Sequence, residues 1–197
     1  MGIGFLVCSL MKTRTFVVLV SILFSLGFLA APTSVLGQEA GPKKFSVSEL
    51  EFSRPDSWQT IRPRSSMRKA QLKVPGLEGG DAGEVVFFYF GPGNAGGTEA
   101  NIDRWYRQFQ EPAAKLNTRV EKAKVGDIAV SFVHAEGTFM SGPPVGRKVA
   151  KSGYGLLGAI IEAPKGFVFI KFTAPLALVK AAEADFKTMV TAAKPIQ

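Results

Sequence analysis

The chain has 197 residues, of which 46% are hydrophobic and 20% charged, with 21 Gly, 12 Pro, a single Cys and a formal charge of +8. This composition excludes intrinsic disorder, a coiled coil, a collagen-like repeat and a disulfide scaffold, and leaves one globular domain preceded by an extra segment. No residue constellation identifies a reaction.

The extra segment comes first. Lys12 and Arg14 precede an apolar run from Thr15 to Ala31, then Pro32, Thr33, Ser34 and Val35-Leu36-Gly37, with small residues where an exported-protein peptidase reads. Residues 1–37 therefore read as a signal peptide cleaved between Gly37 and Gln38, which makes the protein exported, periplasmic or extracellular. The alternative is an uncleaved anchor, because the run is at the lower limit for spanning a bilayer; Pro32 and the flexible stretch after it favour cleavage. Met11-Lys12-Thr13-Arg14 is a charged leader start, whereas residues 1–10 carry no charge, so Met11 is the expected true start.

Cys8 lies upstream of the cleavage site, so the mature chain has no thiol for a disulfide, a nucleophile, Cys-ligated zinc or lipoprotein processing. Cleavage removes two cations and no acid from the total of +8, leaving +6. Much of the excess is early, in Lys43, Lys44, Arg54, Arg62, Arg64, Arg68, Lys69 and Lys73. An anionic surface or polyanion is a plausible partner, while nucleic acid is not expected in an exported compartment.

Residues 38–44 read as a short tether, and residues 45–197 as a single domain. Strands are expected at Phe45–Phe52, Met67–Val74, Gly83–Phe90, Thr118–Val125, Ile128–Phe139, Tyr154–Glu162 and Phe167–Thr173. Gly126-Asp127 and Ala163-Pro164-Lys165-Gly166 are short turns, which imply antiparallel pairing. Val85 to Phe90 and Phe167 to Phe172 are nearly continuous apolar runs, so those strands need cover on both faces. Thr98 to Gln110, with Thr98 as N-cap, places Ile102, Trp105, Tyr106 and Phe109 on one helical stripe. Leu176 to Ala193, entered through Pro175, does the same with Val179, Ala182, Phe186, Met189 and Val190, with Glu183 and Lys187 as an outer i,i+4 pair. The expected fold is α+β, an antiparallel sheet of six to seven strands with helices on both faces, an α/β/α sandwich.

Phe52-Ser-Arg-Pro55-Asp-Ser-Trp58 after a first strand, then paired strands, a mid-chain helix, a long meander and a Pro-initiated C-terminal helix, resembles the PsbP group. That group is named for an extrinsic subunit of photosystem II and takes in Mog-type Ran-binding proteins and many exported bacterial proteins of unknown function. The likeness covers nearly the whole mature chain, in element order, with Pro55-x-x-Trp58 as its local signature. It implies a PsbP-like sandwich and an accessory or binding function without a catalytic centre. The Gly-rich loop before the first helix and the basic loop at 141–152 depart from the pattern, and no family binding residue is carried onto them.

Gly91-Pro92-Gly93-Asn94-Ala95-Gly96 matches a dinucleotide-binding motif literally. The helix opens only at about Thr98, Pro92 removes a donor and the next strands read as hairpins, so a strand-to-helix connection is expected, with no cofactor. On the helix, Asn101, Arg104 and Gln108 share a polar surface away from Trp105, and Arg107 adds a further cation. In the loop, Arg147, Lys148 and Lys151 could join the early cations in one electropositive surface if the sheet brings them together.

The candidate binding residues are therefore Asn101, Arg104, Arg107, Arg147, Lys148 and Lys151. His134 is the only histidine, which excludes a multi-His metal site, and no metal is expected. It shares a strand face with Glu136, a pair that could move a proton in a hydrolase, but no nucleophile motif accompanies it. The leading expectation is an exported non-enzymatic module that binds a protein partner in the cell envelope or assists an assembly. The alternatives are a small-ligand or polyanion binder, with a cleft beside the Gly-rich loop, and a hydrolase using His134 and Glu136.

Overall fold

Ten strands and two helices make up residues 41–143 and 145–196, which the computed structural model describes. The expected signal peptide and its cleavage site lie outside the described residues. In chain order the elements are β1 (Lys44–Val47), β2 (Leu50–Ser53), β3 (Gln59–Ile61), β4 (Arg68–Val74), β5 (Gly83–Tyr89), α1 (Thr98–Tyr106), β6 (Asn117–Val125), β7 (Ile128–Ser141), β8 (Val149–Ile161), β9 (Val168–Pro175), α2 (Leu176–Thr191) and β10 (Lys194–Pro195).

The main sheet is antiparallel throughout, in the order β3-β4-β5-β9-β8-β7-β6. Its two central strands are the nearly continuous apolar ones, β5 and β9, paired from Glu84 opposite Thr173 to Tyr89 opposite Val168. Successive residues of β8 serve opposite faces. Leu157, Ala159 and Ile161 join the core beneath α2, whereas Leu156 and Ile160 join the core beneath α1. The fold is thus α+β, with a helix on each face of the seven-stranded sheet. A second, three-stranded sheet of order β1-β2-β10 adds Val47, Leu50 and Phe52 to the α2-side core, where Phe45 and Phe52 set their rings edge-on against Phe87.

The local chemistry explains most boundaries. Gly126 takes φ 57° in the two-residue turn that sets Val125 opposite Ile128. The amide of Gly166 donates to the Ala163 carbonyl at 2.9 Å and closes the β8–β9 turn. The first expected strand is instead a hairpin: β1 and β2 turn at Ser48-Glu49, with Ser48 at φ 55° in the left-handed region that favours Gly or Asn. Three-residue β3 and two-residue β10 are additions too short to leave a periodic signature.

Helix α1 is shorter than its stripe. It stops at Tyr106, and Phe109 reaches the core from an extended segment bridged to Phe139. Its N-cap is Gly97 and not Thr98, whose hydroxyl donates to Glu162 Oε1 at 2.6 Å. Helix α2 begins after Pro175, as its sequence requires. The Glu183–Lys187 pair is formed at 2.7 Å but flanks β6 and β7, so it is not on the outer surface.

The apposition of α1 to the sheet depends on one glycine. A Cβ on Gly158 of β8 would lie 2.0 Å from Cζ3 of Trp105, so the indole sits directly against bare backbone.

Candidate functional site

The segment that leaves α1 links the helix carrying Arg104 to the strands on either side of the loop that carries Arg147 and Lys148. Strand β6 ends where Asn117 faces Glu136, and beyond that point the free edge of β7 is taken by residues 108–110. The Gln110 amide donates to the Thr138 carbonyl and the Met140 amide to the Gln108 carbonyl, both at 2.8 Å, and the Phe109 and Phe139 rings pack edge-on at 5.5 Å. The Thr138 amide lies on the same edge as its carbonyl, past the end of β6, and the Glu111 carboxylate accepts it at 2.9 Å. That bond holds the Glu111 carboxyl below the usual range.

The C-terminal end of α1 is thereby fastened to the base of an arm formed by the outer ends of β7 and β8. Arg104 is exposed on α1, Arg107 is exposed at its C-cap, and Arg147 and Lys148 are exposed at the tip of the arm. Lys151 lies on β8 opposite Phe139, so the expected loop at 141–152 is shorter than its sequence suggests: residues 142–148 connect the strands and residues 149–152 belong to β8. None of these five cations enters an ion pair among the described residues. Arg104 donates to Asn101 Oδ1 at 2.6 Å, Arg107 to its own helix at the Asp103 carbonyl, and Lys151 to the Tyr154 hydroxyl at 3.1 Å.

Asn101 differs from its expected position. It is buried, and its amide nitrogen donates to the carbonyls of Ala95 and Gly97 at 2.9 Å. It holds the Gly-rich loop from within and positions Arg104, and it has no surface left to offer a partner. The same bonds bear on the dinucleotide motif. Gly91, Gly93 and Gly96 all have positive φ, but the carbonyls of Ala95 and Gly97 point at Asn101, and the carboxylate of Glu162 already meets the first turn of α1. A phosphate there would face an anion.

His134 occupies the other face of the sheet, at the edge of α2. Its ring contacts Arg119 and Glu121 of β6 and Glu183 of α2: Nε2 lies 3.3 Å from Glu121 Oε1 and 3.8 Å from Glu183 Oε1, with Arg119 Nη2 at 3.3 Å. Arg119 also binds Glu121 at 2.6 Å and Glu183 at 3.0 Å, while Lys187 bonds both carboxylates at 2.8 and 2.7 Å. Burial, followed by the charge of Arg119, pushes the imidazole below its ordinary value. The Lys187 hydrogen bond holds Glu121 low; burial opposes this at Glu183, but its bond to Lys187 and the neighbouring cations outweigh it.

Glu136 takes no part in this network and pairs with Lys180 at 3.5 Å. The His134–Glu136 pair of the hydrolase alternative therefore makes no direct bond, although both line a cleft of about 410 Å³ with Arg119, Lys180 and Leu156. No local pattern signals the Glu121, His134 and Glu183 cluster, because it depends on the docking of α2 against β6. Their ligating atoms lie within 4.8 Å of one another, as a metal would need. Arg119 and Lys187 already neutralise the two carboxylates, so the cluster is charge-balanced as an ion network.

A smaller cleft of about 210 Å³ opens on the α1 face, between Arg64, Glu84, Ser141, Lys151, Tyr154 and Thr173. Here the sheet does bring an early cation, Arg64, beside Lys151. Neither cleft is the one expected beside the Gly-rich loop.

No protein-family model matches the chain, and no curated protein matches it. Among solved structures it is similar to cyanobacterial PsbP (CyanoP) from Synechocystis sp. PCC 6803, with 10% identity and a TM-score of 0.49 over 77% of this chain and 91% of that one. It is also similar to PA94, a protein of unknown function from Pseudomonas aeruginosa, with 13% identity and a TM-score of 0.44 over 78% of this chain and 96% of that one. These likenesses concern the path of the chain alone.

Proposed function

We propose that the chain is an exported, non-enzymatic binding or assembly module, and that its partner is an acidic protein of the cell envelope. The observation that supports this reading is the fastening of residues 108–110 to Thr138–Met140, which sets Arg104 and Arg107 beside the arm that carries Arg147, Lys148 and Lys151. Five cations without carboxylate partners among the described residues suit an acidic surface, because their charge is unspent. Val145 and Val149 are exposed at the same tip and add apolar area to such a contact.

Export rests on the leader pattern of residues 1–37. No helix among the described residues is long and apolar enough to cross a membrane. N-terminal sequencing of the protein recovered from its cells is expected to begin at Gln38; a chain beginning at Met1 or Met11 would contradict export by cleavage. The partner surface is tested by photo-crosslinking from positions 107 and 148, with position 69 on β4 as a control. One shared acidic partner from the first two positions and none from the third supports the reading, and equal labelling from all three contradicts it. Small-ligand binding is a second reading, favoured by the cleft that Arg64 and Lys151 share.

A further inference from the structure

The cleft on the α1 face contains more cationic and donor capacity than its own residues consume. Glu84 lines it, but Oε1 of that carboxylate already accepts from Gln71 Nε2 at 2.6 Å and pairs with Arg68 at 3.0 Å. Arg64 reaches the same oxygen only at 4.0 Å, with a side chain that is 75% exposed. Lys151 uses one donor on the Tyr154 hydroxyl, which in turn donates to Asp81 at 3.0 Å. The hydroxyls of Ser141 and Thr173, which also line the cleft, make no hydrogen bond among the described residues. Behind the cleft lies Lys171, two residues before Thr173 on the same face of β9. Among the described residues its ammonium meets only the amide oxygen of Gln108, at 2.7 Å, and it lies 5.7 Å from the centre of the Phe139 ring that walls the cleft.

Arg64, Arg68, Lys151 and Lys171 face Glu84 and Asp81, which leaves two positive charges unbalanced around a recess lined mainly by polar atoms. At about 210 Å³ it is smaller than sites that take drug-sized molecules. Arginine and lysine together with hydroxyl donors are the groups that recognise phosphate oxygens.

We propose that this cleft binds a compact dianionic oxyanion, phosphate or a small phosphate monoester, through Arg64, Lys151 and the hydroxyls of Ser141 and Thr173. The site overlaps the acidic-partner surface at Lys151 alone. Burial lowers Lys171 to about 8, and a dianion seated in front of it restores a higher value by favouring the charged ammonium.

The test is calorimetric titration of residues 38–197 with inorganic phosphate and with glycerol 3-phosphate at low chloride, accompanied by an NMR titration of Lys171 with and without saturating phosphate. Expected are saturable one-to-one binding, an upward shift of the Lys171 titration on saturation, and at least tenfold weaker binding in Arg64→Gln and in Thr173→Val. Arg107→Ala and Arg147→Ala should bind as the parent does. Vesicles containing phosphatidic acid distinguish the source: much tighter binding than glycerol 3-phosphate, still dependent on Arg64, assigns the phosphate to a lipid, and comparable binding assigns it to a soluble ester. Absent or non-saturable binding, or a folded Arg64→Gln that binds like the parent, overturns the proposal. Loss of envelope-partner capture with phosphate binding intact would count against the partner surface alone.

Discussion

Lys171 is protonated in the unfolded chain up to the ordinary lysine value of 10.5, whereas burial releases its proton in the folded chain at about 8. Below pH 8 both states hold the proton, and the folded state bears the full desolvation cost, on the order of 3 kcal/mol at most. Between about pH 8 and 10.5 only the unfolded chain holds it, so stability rises with pH through that window. Lys171→Met is expected to be more stable than the parent at pH 7 by about 1–3 kcal/mol. Denaturant midpoints of the two proteins should converge as pH rises from 8 to 10; a constant difference would show that Lys171 is not desolvated.

His134 behaves with the opposite end of the scale. Its depressed folded value means that acid protonates the unfolded chain first, so stability contributed by the neutral ring is lost as pH falls through the ordinary histidine range and below. The low values of Glu121 and Glu183 act in the same direction at still lower pH. His134→Gln should flatten the decline between pH 6.5 and 5, measured by thermal unfolding, while an unchanged slope would place its origin elsewhere. Glu183→Gln, which takes a partner from both Arg119 and Lys187, should cost about 1 kcal/mol at neutral pH and less at high salt, because the network is partly exposed.

At the scale of elements, the contact most sensitive to substitution is that of α1 on β8. Gly158→Ala would place a methyl 2.0 Å from Cζ3 of Trp105, and the helix must shift or the indole rotate. The expected cost is about 1–3 kcal/mol, typical of an overpacked core. A displaced α1 also moves residues 108–110, so the change should appear in Trp105 fluorescence and in amide exchange at Met140. An Ala variant with the parent's stability and spectrum would show that α1 is not held in this way.

Much of this layer was legible in the sequence. The apolar runs of β5 and β9 demanded two covered faces, and the stripes of α1 and α2 supplied them. The Ser48 turn was not legible, because a non-glycine residue in the left-handed region gives no compositional signal. Asn101 was misplaced for a related reason: helical periodicity assigns a face, but here a buried amide is required by the carbonyls of the preceding loop. Lys171 read as one polar residue in an apolar strand, and its significance arises only where Gln108 and Phe139 arrive from distant parts of the chain.

At the scale of the molecule, the two faces of the sheet use charge differently. On the α2 face, Arg119, Glu121, His134, Glu183 and Lys187 satisfy one another, and a histidine that looked catalytic in isolation belongs to a balanced network. On the α1 face, Arg104, Arg107, Arg147, Lys148 and Lys151 have no carboxylate partners among the described residues. Spent charge braces the fold, and unspent charge is available for recognition.

The measurement that bears most directly on this account is capture from the native envelope fraction with immobilised residues 38–197, comparing the parent with a variant in which Arg104, Arg107, Arg147 and Lys148 are all changed to Glu. The parent should retain one acidic protein in stoichiometric amount at physiological salt, and the folded variant should retain none of it. Equal retention by both, or an empty parent column, would contradict the claim that this surface binds an envelope partner.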